Sequence, residues 1–382
     1  MPQAAVPRRK PAVSQLDVTL LRGGTSKGLF FRHDDLPPAG AARDALLLRV
    51  LGSPDPYGKQ IDGLGTGIST TSKVVLLRPS QRDDHDIDYL FGHVSIAEPL
   101  VDWSGNCGNL SAAVPLFALL QGMVVHAPRD GAVNVRIWQA NIGKTIIAEL
   151  SMRDGQPQWE GDYHIDGVAF PGAPLTLRFL DPAGGASGRL FPTGRVCDSL
   201  SLPDGSSLAA TLIDAGNPTV FVRAADVGLV GDERGDIADA AINQRLEWAR
   251  AAGAVAMGLA ADIASASSER PATPKVSFVS ASTEPGVALT ARILSMGRLH
   301  HAYTGTGAIA LAAAAAIDGT LVAEACGGVV RGEALRFAHA SGQQQLEARL
   351  SPGAAGWHID EVVMTRTARP LLQGSLFLPS QY

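Results

Sequence analysis

A chain of 382 residues with 46% apolar, 18% charged and 5% aromatic side chains has the composition of a soluble globular protein packed from small groups, and its length suits two domains. A formal net charge of -5 with dispersed lysines and arginines offers no basic face to nucleic acid or to an anionic membrane. No apolar run is long enough to span a bilayer, and three widely spaced cysteines, Cys107, Cys197 and Cys326, argue against a disulfide framework and for a reducing cytoplasm.

Residues 1–14 carry Arg8, Arg9, Lys10 and three prolines but no apolar stretch, and read as a disordered tail, not a signal peptide. Leu16 to Leu21 predicts a strand entering the glycine-rich turn Arg22 to Gly28, with Leu29 to Arg32 the next strand. The spacing predicts a helix over Ala41 to Leu51, ended by Gly52. Ser72 to Leu77 and Val94 to Ile96 read as strands, and Val133 to Trp138 with Thr145 to Leu150 as a hairpin around Asn141-Ile142-Gly143. Asp181 to Gly188 is the best linker on composition, dividing the chain into residues 1–188 and 189–382. Beyond it, Leu208 to Ile213 and Thr219 to Val222 repeat the opening strands. Ile237 to Met257 is a long helix, Val276 to Val279 and Val287 to Leu294 are strands, and Ala308 to Ile317 is an apolar core helix. Leu335 to Ala338, Gln345 to Leu350 and Glu361 to Thr367 return as strands. The fold class is α+β, with sheets wrapping one principal buried helix in each half.

Two segments read as copies of one device. Cys107-Gly108-Asn109 and Thr304-Gly305-Thr306-Gly307 each lead from a small hydroxyl or thiol residue through glycine into an apolar, alanine-rich helix that closes on Gly122 or Gly319. Upstream of each lies a matched turn, Thr19 to Thr25 and Thr211 to Asn217. Gly24 and Cys107 stand nearly as far apart along the chain as Gly216 and Thr304. A period this long suggests two homologous half-chains that aim two helix N-termini into one cleft.

Cys107 lies between Gly105-Asn106 and Gly108-Asn109, where unpaired N–H groups at a helix start would lower a thiol's pKa and hold carboxylates. The alternative is a small residue chosen for packing. Cys197 and Cys326 have no such setting. Lys73 ends the small-residue loop Gly63 to Ser72 and opens the apolar strand Val74 to Leu77. By spacing alone it is either a solvated strand-end charge or, if desolvated beside helix N-termini, a general base. Arg22 to Gly28 lacks the spacing of a nucleotide phosphate loop but can serve as a nest of donors, Thr25 and Ser26 among them. Gly305-Thr306-Gly307 imitates a dinucleotide fingerprint, yet no clean strand leads into it and the repeat accounts for its glycines. His300-His301 has no metal-ligand spacing, and Asp83-Asp84-His85-Asp86 reads as a solvated turn.

With these segments assembled, the chain resembles the 2-methylaconitate cis-trans isomerases, relatives of diaminopimelate epimerase, from about Leu16 to Phe377. The likeness is carried by Arg22 to Gly28, Ser53 to Tyr57, Lys59 to Gly63, Val101 to Leu110, Arg136 to Lys144 and Leu294 to His301. It implies the diaminopimelate epimerase-like fold: two pseudo-symmetric domains, each a barrel-like sheet around a central helix, with the site between them. In the wider superfamily two cysteines act as acid and base. Here Cys107 matches the first, while Thr304 stands at the second position, and Ser295-Met296 replaces the Glu-Arg pair of the amino-acid epimerases. These departures speak against amino-acid racemisation. By the resemblance, Lys73 and Cys107 are the catalytic candidates. Thr25, Ser26, the backbone of Gly108, Asn109, Gly305, Thr306 and Gly307, and the Ser295-Met296 position are the substrate-binding candidates.

The implied activity is cofactor-independent and metal-independent isomerisation of an unsaturated tricarboxylate, namely 2-methylaconitate in propionate catabolism through the methylcitrate cycle. Removing an allylic proton beside a carboxylate gives a dienolate whose former double bond can rotate, and donors placed at the developing charge dominate the barrier. The competing readings are a 4-oxalomesaconate tautomerase, a nucleotide-dependent oxidoreductase, and a non-catalytic partner of an aconitase-like dehydratase. Such a dehydratase as partner and a homodimer both stay open at this stage.

Overall fold

The structure, a computed structural model, describes residues 14–353 and 356–378. The tail expected over 1–14 lies, except for its last residue, outside the described residues.

The first half opens as a hairpin, β1 (Ser14–Gly23) and β2 (Ser26–Arg32). Its turn needs glycine at Gly24, which has φ of 50° and whose absent Cβ makes room for the Asn109 side chain. Helix α1 (Ala41–Leu51) leads across to β3 (Lys73–Pro79), which lies parallel to β2. Strand β4 (Ile87–Val94) returns antiparallel and carries the short β5 (Val101–Asp102). A 3-10 turn (Leu110–Ala112) and α2 (Val114–Leu120) then cross to β6 (Gly131–Gln139), parallel to β4. The hairpin partner of β6 is β7 (Lys144–Arg153), followed by β8 (Gln156–Pro157) and β9 (Leu175–Leu180).

The second half repeats this order. After β10 (Asp198–Ser201), β11 (Ser207–Ala215) turns through Gly216, at φ of 71°, into β12 (Asn217–Arg223). Helices α3 (Ala240–Ala256) and α4 (Ile263–Glu269) lead to β13 (Lys275–Ala281), parallel to β12. Then follow β14 (Leu289–Ser295) and the short β15 (Arg298–Leu299). Helices α5 (Gly305–Ala315) and α6 (Leu321–Ala325) cross to β16 (Leu335–His339), parallel to β14 and paired with β17 (Gly342–Gly353). The repeat in sequence is thus a repeat in strand pairing.

Division at residues 188 and 189 does not follow the pairing at the end of the chain. Strand β18 (Gly356–Arg366) pairs with β9, and β19 (Ala368–Leu378) pairs with β1 along its whole length. Both β1 and β9 would otherwise present open edges, and the C-terminal strands cover them. Among the described residues all strands join in one 19-stranded sheet.

Strands β2, β3, β12 and β13 are buried on both faces, which is why they read as continuous apolar runs. Leu29, Phe31, Val74 and Leu76 pack under α1, and Val220, Val222, Val276 and Phe278 under α3, while Phe30, Val75 and Phe221 face the central core around α2 and α5. Every residue of α5 is buried, as an alanine-rich helix apolar all round requires.

Two local differences from the sequence reading have physical causes. The first core helix is broken: Pro115 at the start of α2 has no N–H to give to the preceding turn, so a 3-10 segment precedes a seven-residue helix. Strand β4 runs Ile87–Val94, so the strand expected over Val94 to Ile96 lies earlier in the chain; Asp88 within it accepts from Arg78 (3.0 Å) and Ser80 (2.7 Å), which lets a charged residue sit in the strand. The neighbouring His85, read as part of a solvated turn, is tucked against Trp138 and Thr145.

Candidate active site

The turn ahead of α2 and the N-terminus of α5 meet backbone to backbone. A Cβ on Gly108 would lie 2.9 Å from the carbonyl carbon of Gly305, and one on Gly305 would lie 2.7 Å from the Asn109 nitrogen. Only glycine allows this approach. Two crossed amides hold it in place. Asn109 Nδ2 donates to Thr25 Oγ1 (3.0 Å) and to the Tyr303 carbonyl (3.2 Å). In the mirrored pair, Asn217 Nδ2, at the place of Thr25, donates to Thr306 Oγ1 (2.9 Å), at the place of Asn109, and also to the Asn106 carbonyl (3.0 Å).

The two helix starts are capped alike. Leu110 N donates to Cys107 Sγ (3.4 Å), and Gly307 N donates to Thr304 Oγ1 (3.1 Å). Into the first cap reaches Lys73, whose Nζ donates to Ser26 Oγ (3.0 Å) and Cys107 Sγ (3.6 Å). Strand alternation explains this placement. Lys73 shares a face with Val75 and Leu77, and that face points at the central helices, so the first residue of β3 delivers its amine to the helix start. All three side chains are buried.

The structure therefore brings Lys73, Cys107 and Ser26 together. It spends other expected donors elsewhere. The hydroxyls of Thr25 and Thr306 and the amide of Asn109 are engaged in holding the halves, and the Gly307 N–H is taken by Thr304. The N–H groups of Gly108, Asn109, Gly305 and Thr306, at the starts of the helical turns, have no intrahelical acceptors. Ser295 lines the same small cavity as Lys73, whereas Met296, at φ of 53° in the turn between β14 and β15, points into an outer groove.

Sequence reasoning missed two buried side chains, Lys275 and His93, and left a third, His300, as polar lining or one of a surface pair. Lys275 is buried in the cavity wall with a single long hydrogen bond, 3.5 Å to Ser295 Oγ. Burial, and then repulsion from Lys73, pull its amine down to about 7. His93 stands opposite Lys73 on β4 and bonds the Ser69 carbonyl (3.0 Å). Burial, followed by the nearby lysines, holds it well below the usual histidine range, so it is neutral. His300 is buried and stacked on His301; its Nδ1 accepts from Ala302 N (3.0 Å) and its Nε2 has no partner. Burial, then the field of Lys73, keeps it neutral as well. A signal existed for Lys275: like Lys73, it opens the second strand after the glycine turn of its half, although more helix intervenes.

The cavity between these groups measures about 20 Å³, space for roughly one water, so a larger molecule enters only as the walls part. Beside it a groove of about 770 Å³, lined by Ser69, Val94, Glu98, Pro271, Met296 and Arg298, opens between loops of both halves. Neither buried amine makes a salt bridge among the described residues, so the wall carries basic groups with no carboxylate at hydrogen-bond distance. Such a wall suits an anionic ligand and proton transfer at a carbon beside a carboxylate. Among the described residues no group of three or more His, Cys, Asp or Glu is arranged to hold a metal, and no helix is long and apolar enough to cross a membrane.

Residues 13–379 match the PrpF protein family. The chain is 49% identical to the 2-methyl-aconitate isomerase of Cupriavidus necator, covering 96% of this chain and 97% of that one. It is likewise 49% identical to the 2-methyl-aconitate isomerase of Shewanella oneidensis, over 97% and 98%. The 4-oxalomesaconate tautomerase of Pseudomonas putida is 39% identical over 94% and 95%. Among solved structures, methylitaconate-delta-isomerase superposes with a TM-score of 0.72 at 33% identity, covering 97% of this chain and 98% of that one. A hydroxyproline epimerase from Agrobacterium vitis, at 14% identity, a TM-score of 0.56 and coverage of 96% and 94%, shares the fold alone. The α+β architecture is therefore that of the diaminopimelate epimerase-like proteins, the relatives are isomerases, and this chain belongs to the PrpF protein family.

Proposed function

We propose that this isomerase interconverts the geometrical isomers of 2-methylaconitate by allylic proton transfer, without a cofactor, as a cytoplasmic step of propionate catabolism. The observation that carries the mechanism is the buried contact of Lys73 with Cys107 and Ser26 at the meeting point of the helix starts. Lys73 takes the allylic proton; the electron pair left behind spreads into a dienolate. The former double bond gains single-bond character and rotates, and a proton, exchangeable with solvent on the amine, returns to the same carbon. The N–H groups of Gly108, Asn109, Gly305 and Thr306 receive the negative charge as it develops, and loss of one such donor costs about 3 kcal/mol. Cys107, within reach of the amine, relays or steadies the proton.

A second reading, 4-oxalomesaconate tautomerisation, uses the same proton removal with return two atoms away, and the 39% identity to such an enzyme favours keeping it in the test. The nucleotide reading loses its support, because only the two-residue β15 precedes Gly305, separated from it by residues 300–304, where a dinucleotide loop needs a strand running directly into the glycine turn. Dialysed protein treated with EDTA should isomerise 2-methylaconitate, followed by proton NMR, faster than 4-oxalomesaconate. Preference for the second substrate, or loss of rate restored by zinc or iron, would overturn the proposal. A Lys73→Ala variant that binds but does not turn over substrate would speak against a purely accessory, non-catalytic role beside a dehydratase.

A further inference from the structure

We propose that Lys275 is the second amine of this site and that it holds one carboxylate of the substrate. The inference rests on the reading of the cavity as the reaction site, but its test is a binding measurement that does not depend on turnover.

Lys275 occupies in the second half the place that Lys73 occupies in the first. Each is the first residue of a strand that lies parallel to the second strand of a glycine-turn hairpin. Each shares its strand face with residues directed at the central helices, since Val276 and Phe278, the alternate positions of β13, pack outward under α3. The two amines converge on one small cavity, to which Cys107, Thr304 and Ser295 also belong.

Their partners differ. Lys73 is placed by Ser26 and Cys107, whereas Lys275 has only the 3.5 Å contact with Ser295. An ammonium carries three donors, so most of the hydrogen-bonding capacity of Lys275 is uncommitted. The groups that face it are Lys73 on β3, Asp102 on β5, Cys107 before α2 and Arg250 on α3, with His93 on β4 and His300 after β15 also within its field. Asp102, the carboxylate in this set, is occupied by the backbone N–H groups of Ser104 (2.8 Å) and Ala272 (3.0 Å). The protein therefore provides no counter-ion at hydrogen-bond distance, and a substrate carboxylate would supply one. Division of labour follows from the partners: the amine fastened to a thiol and a hydroxyl is placed for proton transfer, while the one with uncommitted donors is placed to hold a carboxylate. With Lys73 tied to the proton-transfer groups, the carboxylate falls to Lys275.

The test compares aconitate with three dicarboxylates that each lack a different one of its carboxylates: itaconate, mesaconate and glutaconate. Dissociation constants are measured by calorimetry on the wild type, Lys275→Met and Lys275→Arg. In the wild type, loss of the carboxylate that meets Lys275 should weaken binding at least about tenfold, as expected for a charge-assisted pair. In Lys275→Met, aconitate and that one dicarboxylate should bind equally, and Lys275→Arg should restore the gap. The wild-type gap should also shrink as pH rises above about 7, where free Lys275 loses its proton, and should stay constant in Lys275→Arg. If Lys275→Met does not fold, Lys275→Gln and the wild-type pH series carry the test. Equal weakening of all four ligands in the variant, or a gap that ignores both substitution and pH, would overturn the proposal. Failure to isomerise 2-methylaconitate with the gap intact would instead strike the functional reading alone.

Discussion

The two helix starts that meet at the centre share a frame and differ in chemistry. On one side a thiol, Cys107, caps the first turn and a lysine is fastened to it; on the other a hydroxyl, Thr304, does the capping and the matching lysine hangs free. A threonine hydroxyl is not deprotonated near neutral pH, so the second half keeps the capped helix start without a comparable base. A duplicated fold thus presents two equivalent positions, and specialisation proceeds by changing the side chains while leaving the glycine contact untouched.

The largest effect should come from breaking that contact. Gly108→Ala places a methyl group against the backbone of Gly305 and Thr306, where nothing flexible can yield, and should destabilise the protein by roughly 2–4 kcal/mol and abolish activity. Gly235→Ala, which meets open space, should stay within about 0.5 kcal/mol in the same denaturant titration. An equal response of the two variants would mean that the halves do not depend on close approach at the site.

Next in size is the split between the members of the first cap. Lys73→Ala removes a positioned base, and its turnover should fall at least ~10²-fold. Cys107→Ser keeps a small polar cap and the backbone donors, so it should retain more activity than Lys73→Ala in steady-state assays. The reverse order would move the essential base from the amine to the sulfur.

The smallest effect concerns stability against pH. Lys275 sits at about 7 in the folded protein, below the ordinary 10.5, so between these values the unfolded chain binds more protons at this position. Its contribution to stability should therefore rise with pH from about 7 to 10.5, and its penalty should be complete below 7. Thermal unfolding across that range should show a shallower pH dependence in Lys275→Met than in the wild type. An unchanged dependence would mean that this amine is not buried as described.

Much of this was legible in the residues. The helix over Ala41 to Leu51 and the hairpin around Asn141 to Gly143 follow from local periodicity and turn chemistry, and both form. The paired glycine turns announced a doubled topology, since left-handed backbone at Gly24 and Gly216 leaves a mark in sequence. Lys275 was not legible as a site residue because α3 and α4 lengthen the path from Gly216, which hides its equivalence to Lys73. The return of β18 and β19 to the first half depends on edges formed some hundreds of residues earlier, and no local pattern reports that. The engagement of Thr25, Asn109 and Thr306 in crossed hydrogen bonds was hidden for the same reason: a free donor and a structural one look alike until their partners are placed.

The central claim is that Lys73 moves the proton, and isomerisation in deuterated water tests it most directly. The wild type should incorporate solvent deuterium at the allylic carbon of 2-methylaconitate as the isomers interconvert, and Lys73→Ala should nearly stop both processes while still binding aconitate. If Lys73→Ala exchanges and isomerises at close to the wild-type rate, Lys73 is a buried amine with no part in the proton transfer, and the account fails.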